Sequence, residues 1–213
     1  MLKYGSNDIG KVYLGSNSIG KAYLGSNLVF QKGNNSVPLT LDSIAYEGLT
    51  YRQIFETNNA LGISPGFENG SYSPLTVNAG SPVITTEEAD TGTYSLKASG
   101  TSSAQVKTGY KSGAAFIACR VKVTSYVQGT CGCQFDNNAG VNSITDGWVT
   151  EYADRTATSQ LVCYVGSFNS ANLTGYVDTP VVILKSSFST VPTFDEFKAL
   201  YDRYVSIKKG NST

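Results

Sequence analysis

No histidine occurs in the chain, which closes off Ser-His and Cys-His nucleophile pairs and any imidazole-ligated metal centre. The acid–base chemistry that remains is that of paired carboxylates, which could serve glycoside cleavage. Glu87-Glu88 with Asp90 stand beside an Asp90-Thr91-Gly92 turn signal, and Glu151 with Asp154 flank a strand end. Acids in such places are ordinarily solvated, and the chain reads as a non-enzyme. Cys119 lies in Ala114-Ala115-Phe116-Ile117-Ala118-Cys119 and Cys163 in Leu161-Val162-Cys163-Tyr164, so both read as small apolar residues inside strands. Cys131-Gly132-Cys133 has one residue between its cysteines, not the two of a redox or zinc pair. Buried free thiols are expected; a Cys119–Cys163 bridge stays open if their strands are neighbours. Trp148, the one tryptophan, begins a strand after Asp146-Gly147, and Tyr152 shares its face by alternation. Tyr126 and Tyr164 are further aromatic candidates. Such rings pack against the apolar faces of pyranoses; the other reading of a lone tryptophan is core packing.

The elements that must position these residues are strands. Charged residues make up 15% of the chain, against about 25% in ordinary soluble domains, and Gly, Ser, Thr and Asn take their place. Short runs between turn signals are expected at Pro82–Thr86, Thr93–Ala98, Ala104–Tyr110, Ala115–Tyr126, Gly132–Phe135, Gly147–Tyr152, Gln160–Phe168 and Gly175–Leu184. Asp90-Thr91-Gly92, Asp136-Asn137-Asn138 and Asp146-Gly147 are turn signals. Strands so spaced read as a two-sheet jelly roll. Within Phe116–Val123 the pattern passes from continuous apolar to alternating, as for a strand leaving the core at its rim.

Two helices are expected. Thr50 has capping spacing to Gln53, with Tyr51, Ile54, Phe55 and Asn58 on one face of a helix at about 51–59. Thr193 with Glu196 forms a capping box after Pro192, and Phe194, Phe197, Leu200, Tyr201 and Tyr204 make an apolar stripe that packs on a sheet face or a sister subunit. Lys208 and Lys209 suit its last turn, and Gly210 ends it.

At the N-terminus a decapeptide is written almost three times: Tyr4-Gly5-Ser6-Asn7-Asp8-Ile9-Gly10-Lys11-Val12-Tyr13, then Leu14 to Tyr23, then Leu24-Gly25-Ser26-Asn27 before it departs. Each copy reads as a Gly-Ser-Asn turn and a short run with Ile9, Lys11 and Tyr13 on one face. Three such units bury no core alone. Tyr4, Tyr13 and Tyr23 with Ile9 and Ile19 would form rings of identical side chains if copies met about an axis. Sixteen basic and sixteen acidic residues cancel, so no nucleic-acid or anionic-membrane partner is expected. Residues 1–33 carry Lys3, Lys11, Lys21 and Lys32 against Asp8, read as lysines that keep exposed strands soluble. No apolar run reaches the ~18 residues of a membrane span, and the start lacks a secretory h-region, so synthesis in a cytoplasm is expected.

Phe67-Glu68-Asn69-Gly70, Asp90-Thr91-Gly92-Thr93-Tyr94-Ser95-Leu96-Lys97 and Tyr176-Val177-Asp178 resemble the opening strand, turn-and-strand and closing strand of carbohydrate-binding-module jelly rolls. The resemblance implies a glycan-binding sandwich over roughly 66–184. In several such families Glu68- and Asp178-like residues, with carbonyls of the Asp90–Thr93 turn, hold a structural calcium, the one cofactor considered; the other reading pairs these acids with backbone amides or a lysine. Val182-Ile183-Leu184, Ser187-Phe188 and Pro192-Thr193-Phe194-Asp195-Glu196-Phe197 resemble the end of such modules in phage structural proteins, with Ser189 where a glycine is usual. The decapeptide is similar to N-terminal segments of virion proteins in phages of gut bacteria, crAss-like phages among them. These resemblances imply a virion protein assembled in the host cytoplasm: a head fibre or capsid-decoration subunit, homotrimeric, with capsid or other virion proteins and host or mucosal glycans as partners. A tail fibre or receptor-binding subunit and a non-viral carbohydrate-binding module are the alternatives. The expected organisation is a mainly β chain with an anchoring repeat over 1–33, a connector over 34–65 and a sandwich with a C-terminal helix over 66–213.

Overall fold

The computed structural model describes residues 38–210 apart from 64–65, 135–139 and 157–159, with the backbone alone at 160–161. Before residue 38 it describes the backbone of six short strands. Ile19, Lys11, the Gly33–Ser36 loop, Ser64-Pro65, Phe135 and the 136–138 turn lie outside the described residues. The chain divides into two compact units, 1–39 and 40–212.

The first unit is a series of hairpins. β1 (Leu2–Tyr4) pairs with β2 (Asn7–Ile9), β3 (Tyr13–Leu14) with β4 (Asn17–Ser18), and β5 (Lys21–Leu24) with β6 (Asn27–Gln31), all antiparallel. The innermost pairs are Tyr4 with Asn7, Leu14 with Asn17 and Leu24 with Asn27, so each decapeptide contributes one hairpin in one register. Two expectations change. The asparagine opens the return strand, leaving only Gly-Ser between the paired residues. Tyr4 takes the register position of Leu14 and Leu24, whereas Tyr13 and Tyr23 take that of Lys3. Adjacent strand positions belong to opposite faces, so Tyr4 does not continue the series of Tyr13 and Tyr23.

The second unit is an antiparallel β-sandwich with a C-terminal helix. It opens with a small hairpin, β7 (Ile44–Tyr46) and β8 (Leu49–Thr50), and a wide helical turn at Gln53–Thr57. Thr50 and Gln53 cap that turn reciprocally at 2.9 and 3.2 Å. Then follow β9 (Thr76–Ala79), β10 (Val83–Thr85), β11 (Ser95–Gly100), β12 (Gln105–Lys107), β13 (Lys111–Ser112), β14 (Ala115–Gln134), β15 (Val149–Arg155), β16 (Gln160–Leu161), β17 (Tyr164–Leu184) and α1 (Phe194–Lys208).

β14 and β17 organise the unit. They pair along nearly their whole length, with register shifts between Ala118 and Thr130 that bend the ladder back on itself. One layer runs β10-β11-β17-β14-β15 through residues 173–184 and 115–123; the other runs β9-β12-β17-β14 through residues 164–168 and 130–134. The expected strands Ala115–Tyr126 and Gly132–Phe135 are therefore one, as are Gly175–Leu184 and most of Gln160–Phe168. Gly132 and Gly175, where two of those strands were expected to begin, are paired positions inside continuous strands, and Gly129 sits in a bulge between Gln128 and Thr130. Gly129, at φ +94°, has the Ala171 backbone 2.4 Å from where a Cβ would stand. β9 and the β7–β8 hairpin carried no expected strand.

Alternation divides β14 between two cores. Ala115, Ile117, Cys119, Val121 and Val123 face the space between the layers, while Phe116 and Ala118 face outward beneath α1. The change of pattern at Arg120 and Lys122 thus marks where the helix stops covering the outer face; the inner face stays buried throughout. α1 packs on that outer face through Phe197, Tyr201, Tyr204 and Val205, joined by Ile54 and Phe55. The expected capping box of Thr193 and Glu196 is formed, and Gly210 follows the helix at φ +75°. Residues 40–63, expected as a connector, belong to the sandwich: Asn59 bridges to Ile183, its side chain bonded to Pro180, Leu61 and Val182. Among the described residues no helix is long and apolar enough to cross a membrane.

Candidate functional site

The expected aromatic platform is dispersed. Trp148 is half-buried, and its carbonyl accepts from Arg120 Nη2 at 2.9 Å. Tyr152 is held under α1: its hydroxyl donates to Asp202 and its ring meets Tyr201 edge-on at 5.8 Å. Tyr126 packs against the inter-layer core from β14. Trp148 precedes β15, and along that strand the helix occupies the Tyr152 end.

Tyr164 lies elsewhere, in an open groove on the second layer. Thr76, Lys107 and Tyr164 pair across β9, β12 and β17, so they stand in one row. Their chain neighbours Val106 and Val165 face inward, which turns the row outward. With Pro74, Thr108, Gly109, Tyr110 and Val162 these residues line a groove of about 360 Å³. Tyr110 is 76% exposed. Two tyrosine rings beside an ammonium and two threonine hydroxyls make a partly apolar, partly polar surface of the size small-molecule pockets have. Tyr110 was absent from the sequence candidates because it read as the end of a strand that stops at Lys107. A signal existed: Gly109-Tyr110 repeats the glycine–aromatic pairing of Gly147-Trp148.

The Asp90–Thr93 turn is a second polar centre. Asp178 is fully buried; its Oδ2 accepts from the backbone N–H groups of Asp90 and Thr91, both at 2.8 Å. Glu68 accepts from Thr93 N–H at 3.0 and 3.2 Å. The Phe67–Gly70 segment that carries Glu68 is a turn, not the expected opening strand, with Phe67 at φ +56° and Gly70 N–H bonded to the Phe67 carbonyl. Gly66 makes room where three oxygens converge: Glu68 Oε1, Asp178 Oδ1 and Thr91 Oγ1 lie 3.1 to 3.3 Å from the place of its absent Cβ. Among the described residues Oδ1 accepts from the Thr91 and Thr179 hydroxyls and Oε1 from N–H groups at 3.2 and 3.5 Å, which leaves both lone pairs to offer. Burial pushes the Asp178 carboxyl above its usual range, against the pull of the N–H donors. Carboxylate and hydroxyl oxygens of this kind are the donors a hard, oxygen-seeking cation takes. Among the described residues no group of three His, Cys, Asp or Glu side chains is placed to hold a metal.

Most of the paired carboxylates have partners. Glu87 bonds Lys97 and Tyr176, Glu88 pairs with Lys122, and Asp154 pairs with Lys185. Asp90 joins Arg120 at 2.6 Å and Lys209 at 2.7 Å, tying the turn to β14 and the end of α1. Glu151 differs. Its carboxyl points between the layers, where Oε2 accepts from the Cys119 thiol at 3.4 Å and Cys133 N–H at 3.3 Å, and Oε1 has no partner among the described residues. Gly132 leaves it space, since a Cβ there would fall 1.9 Å from Oε2. Burial raises the Glu151 carboxyl to about 7. All four cysteines are free and buried, and the close pair is Cys133 with Cys163, not Cys119 with Cys163.

No protein-family model and no curated protein matches the chain. Solved structures do. The C-terminal family 22 carbohydrate-binding module of Clostridium thermocellum Xyn10B is 15% identical, covering 63% of this chain and 98% of that one, at a TM-score of 0.45. The first family 22 xylan-binding domain of Paenibacillus barcinonensis Xyn10C is 20% identical over 59% of this chain and 95% of that one, at 0.41. A family 61 module solved with beta-1,4-galactotriose is 16% identical over 56% and 94%, at 0.40. The sandwich class of this chain rests on its own strand ladder, two bent strands shared by two layers and a helix closing the outer face of one.

Proposed function

We propose that the chain is a non-catalytic glycan-binding module, and that its site is the groove of Tyr110 and Tyr164. The observation that carries this reading is the exposed Tyr110 ring beside an outward row of Thr76, Lys107 and Tyr164. Ring faces would stack on a sugar, while hydroxyls and the ammonium fix its orientation. A glycan array probed with the wild type and with Tyr110→Ala, Tyr164→Ala and Trp148→Ala tests the assignment. Binding should be lost in the two tyrosine variants and kept in the third. Loss in Trp148→Ala alone would return the site to β15, and a wild type that binds no glycan would remove the reading.

The Glu68–Asp178 centre is proposed to hold a structural calcium ion, since a cation there would offset a buried carboxylate. Calcium should then raise the melting temperature of the whole protein and chelator lower it; an unchanged value would leave both acids as caps of the turn.

The hairpins are proposed to attach the module to a larger particle and to bring copies of the chain together as a homotrimer. By the sequence resemblance that particle is a phage virion, with the protein a head fibre or decoration subunit before a tail fibre. Three hairpins in one register support attachment of some kind; a non-viral carbohydrate-binding module is the alternative. Deleting residues 1–33 should abolish particle binding and leave the sandwich folded.

A further inference from the structure

The four inward thiols are not equivalent. Cys119 donates to Glu151. Cys131 fills the space Gly175 leaves, its Sγ 2.5 Å from the place of a Cβ there. Cys133 and Cys163 instead meet each other, sulfur to sulfur at 3.3 Å, and both are buried. A disulfide bond is about 2.05 Å long, so closure asks for a shift of roughly 1.3 Å. Both cysteines stand at strand ends, and the shift falls to the Cys133 side. Cys133 is next to last in β14, and Cys163 precedes β17 outside the ladder. Cys163 is held by Thr108, whose hydroxyl accepts its N–H at 3.0 Å and whose own N–H donates to its carbonyl at 2.9 Å.

We propose that Cys133 and Cys163 are a disulfide site, open in a reducing medium and closed once the protein meets an oxidising one. The chemistry is thiol–disulfide exchange with a low-molecular-weight disulfide such as oxidised glutathione. One cysteine thiolate attacks that disulfide and expels one glutathione thiolate; the second cysteine sulfur then displaces the other. The cysteines give up two electrons and two protons, and the small disulfide takes them up as two thiols. The hydrogen bond with Cys163, then burial, pushes the Cys133 thiol well up, so exchange waits on opening of the β14 end and is slow. The bond would close a loop of about thirty residues that contains β15. For a unit of this size that corresponds to a rise of roughly 5–10 °C in Tm.

The full-length protein, purified reduced, is held with oxidised glutathione just below its Tm, then denatured, alkylated and mapped by mass spectrometry. The expected result is one peptide pair joining Cys133 to Cys163, with Cys119 and Cys131 alkylated. Tm should rise as stated and fall back with dithiothreitol. Four alkylated thiols, a bridge through Cys119 or Cys131, or stable glutathione adducts without a bridge would each overturn the proposal. Cys133→Ala should abolish the gain and Cys131→Ala preserve it; the reverse pattern also overturns it. The wild-type peptide map decides the matter even if a variant does not fold.

Discussion

The outer face under α1 and the space between the layers are built from the same two strands, yet they are different materials. Beneath the helix the filling is aromatic. Phe116 stacks on Phe197 at 4.6 Å, and Phe55 stacks on Tyr204 at 4.8 Å. The buried polar atoms there are tyrosine hydroxyls with partners: Tyr201 donates to the Thr179 carbonyl at 2.8 Å and Tyr204 to Glu56 at 3.3 Å. Between the layers the filling is mainly aliphatic and sulfur, with Phe67 at one end and a carboxyl among the thiols. A side chain without titratable range responds to truncation alone. A carboxyl that ionises near neutrality and a pair of thiols also respond to the medium. The helix side is therefore expected to set how stable the unit is, and the inter-layer side under what conditions.

Phe116→Ala should have the largest effect, a loss of about 3–5 kcal/mol in denaturant unfolding, because α1 cannot collapse onto a site the sheet backbone holds open. A loss below 1 kcal/mol would show that the helix contributes little and that the asymmetry is false. Next comes Glu151. Its folded value of about 7 lies above the ordinary 4.5, so between those values the folded state holds a proton the unfolded state has released. Stability is then full below about pH 4.5, falls as pH rises from there through 7, and is lower by about 3 kcal/mol above it. Glu151→Gln should recover that amount at pH 8 and change little at pH 4.5, as read from urea midpoints. A flat profile in the wild type would put the carboxylate in contact with solvent. The smallest effect belongs to Thr193→Ala, which removes the helix cap and should cost about 1 kcal/mol. A loss that varied with pH as the Glu151 profile does would join the two regions that the comparison separates.

The two regions were not equally legible. The capping pairs Thr50–Gln53 and Thr193–Glu196 were readable because each joins residues three apart and needs nothing from the rest of the chain. The stripe on α1 was readable for the same reason. Glu151 was readable in part: if Trp148, Thr150 and Tyr152 face one way, then Val149, Glu151 and Ala153 face the other. Residue type argued for solvent there, and the space left by Gly132 overrode it. The lengths of β14 and β17 were not readable, because a glycine in a bulge and a glycine in a turn look the same in sequence.

Composition and period-two alternation determined that this would be a β protein, which residues would be partners on a face, and where its last helix would start. Only the tertiary structure decided which faces are covered and by what. It placed α1 over Phe116 and Ala118 and left Arg120 and Lys122 beyond it. It also drew Thr76, Lys107 and Tyr164 into one row from three strands, and set Cys133 against Cys163. The reason is that register between strands far apart in the chain follows from how the β14–β17 ladder bends. That bend is settled by packing on both of its faces at once.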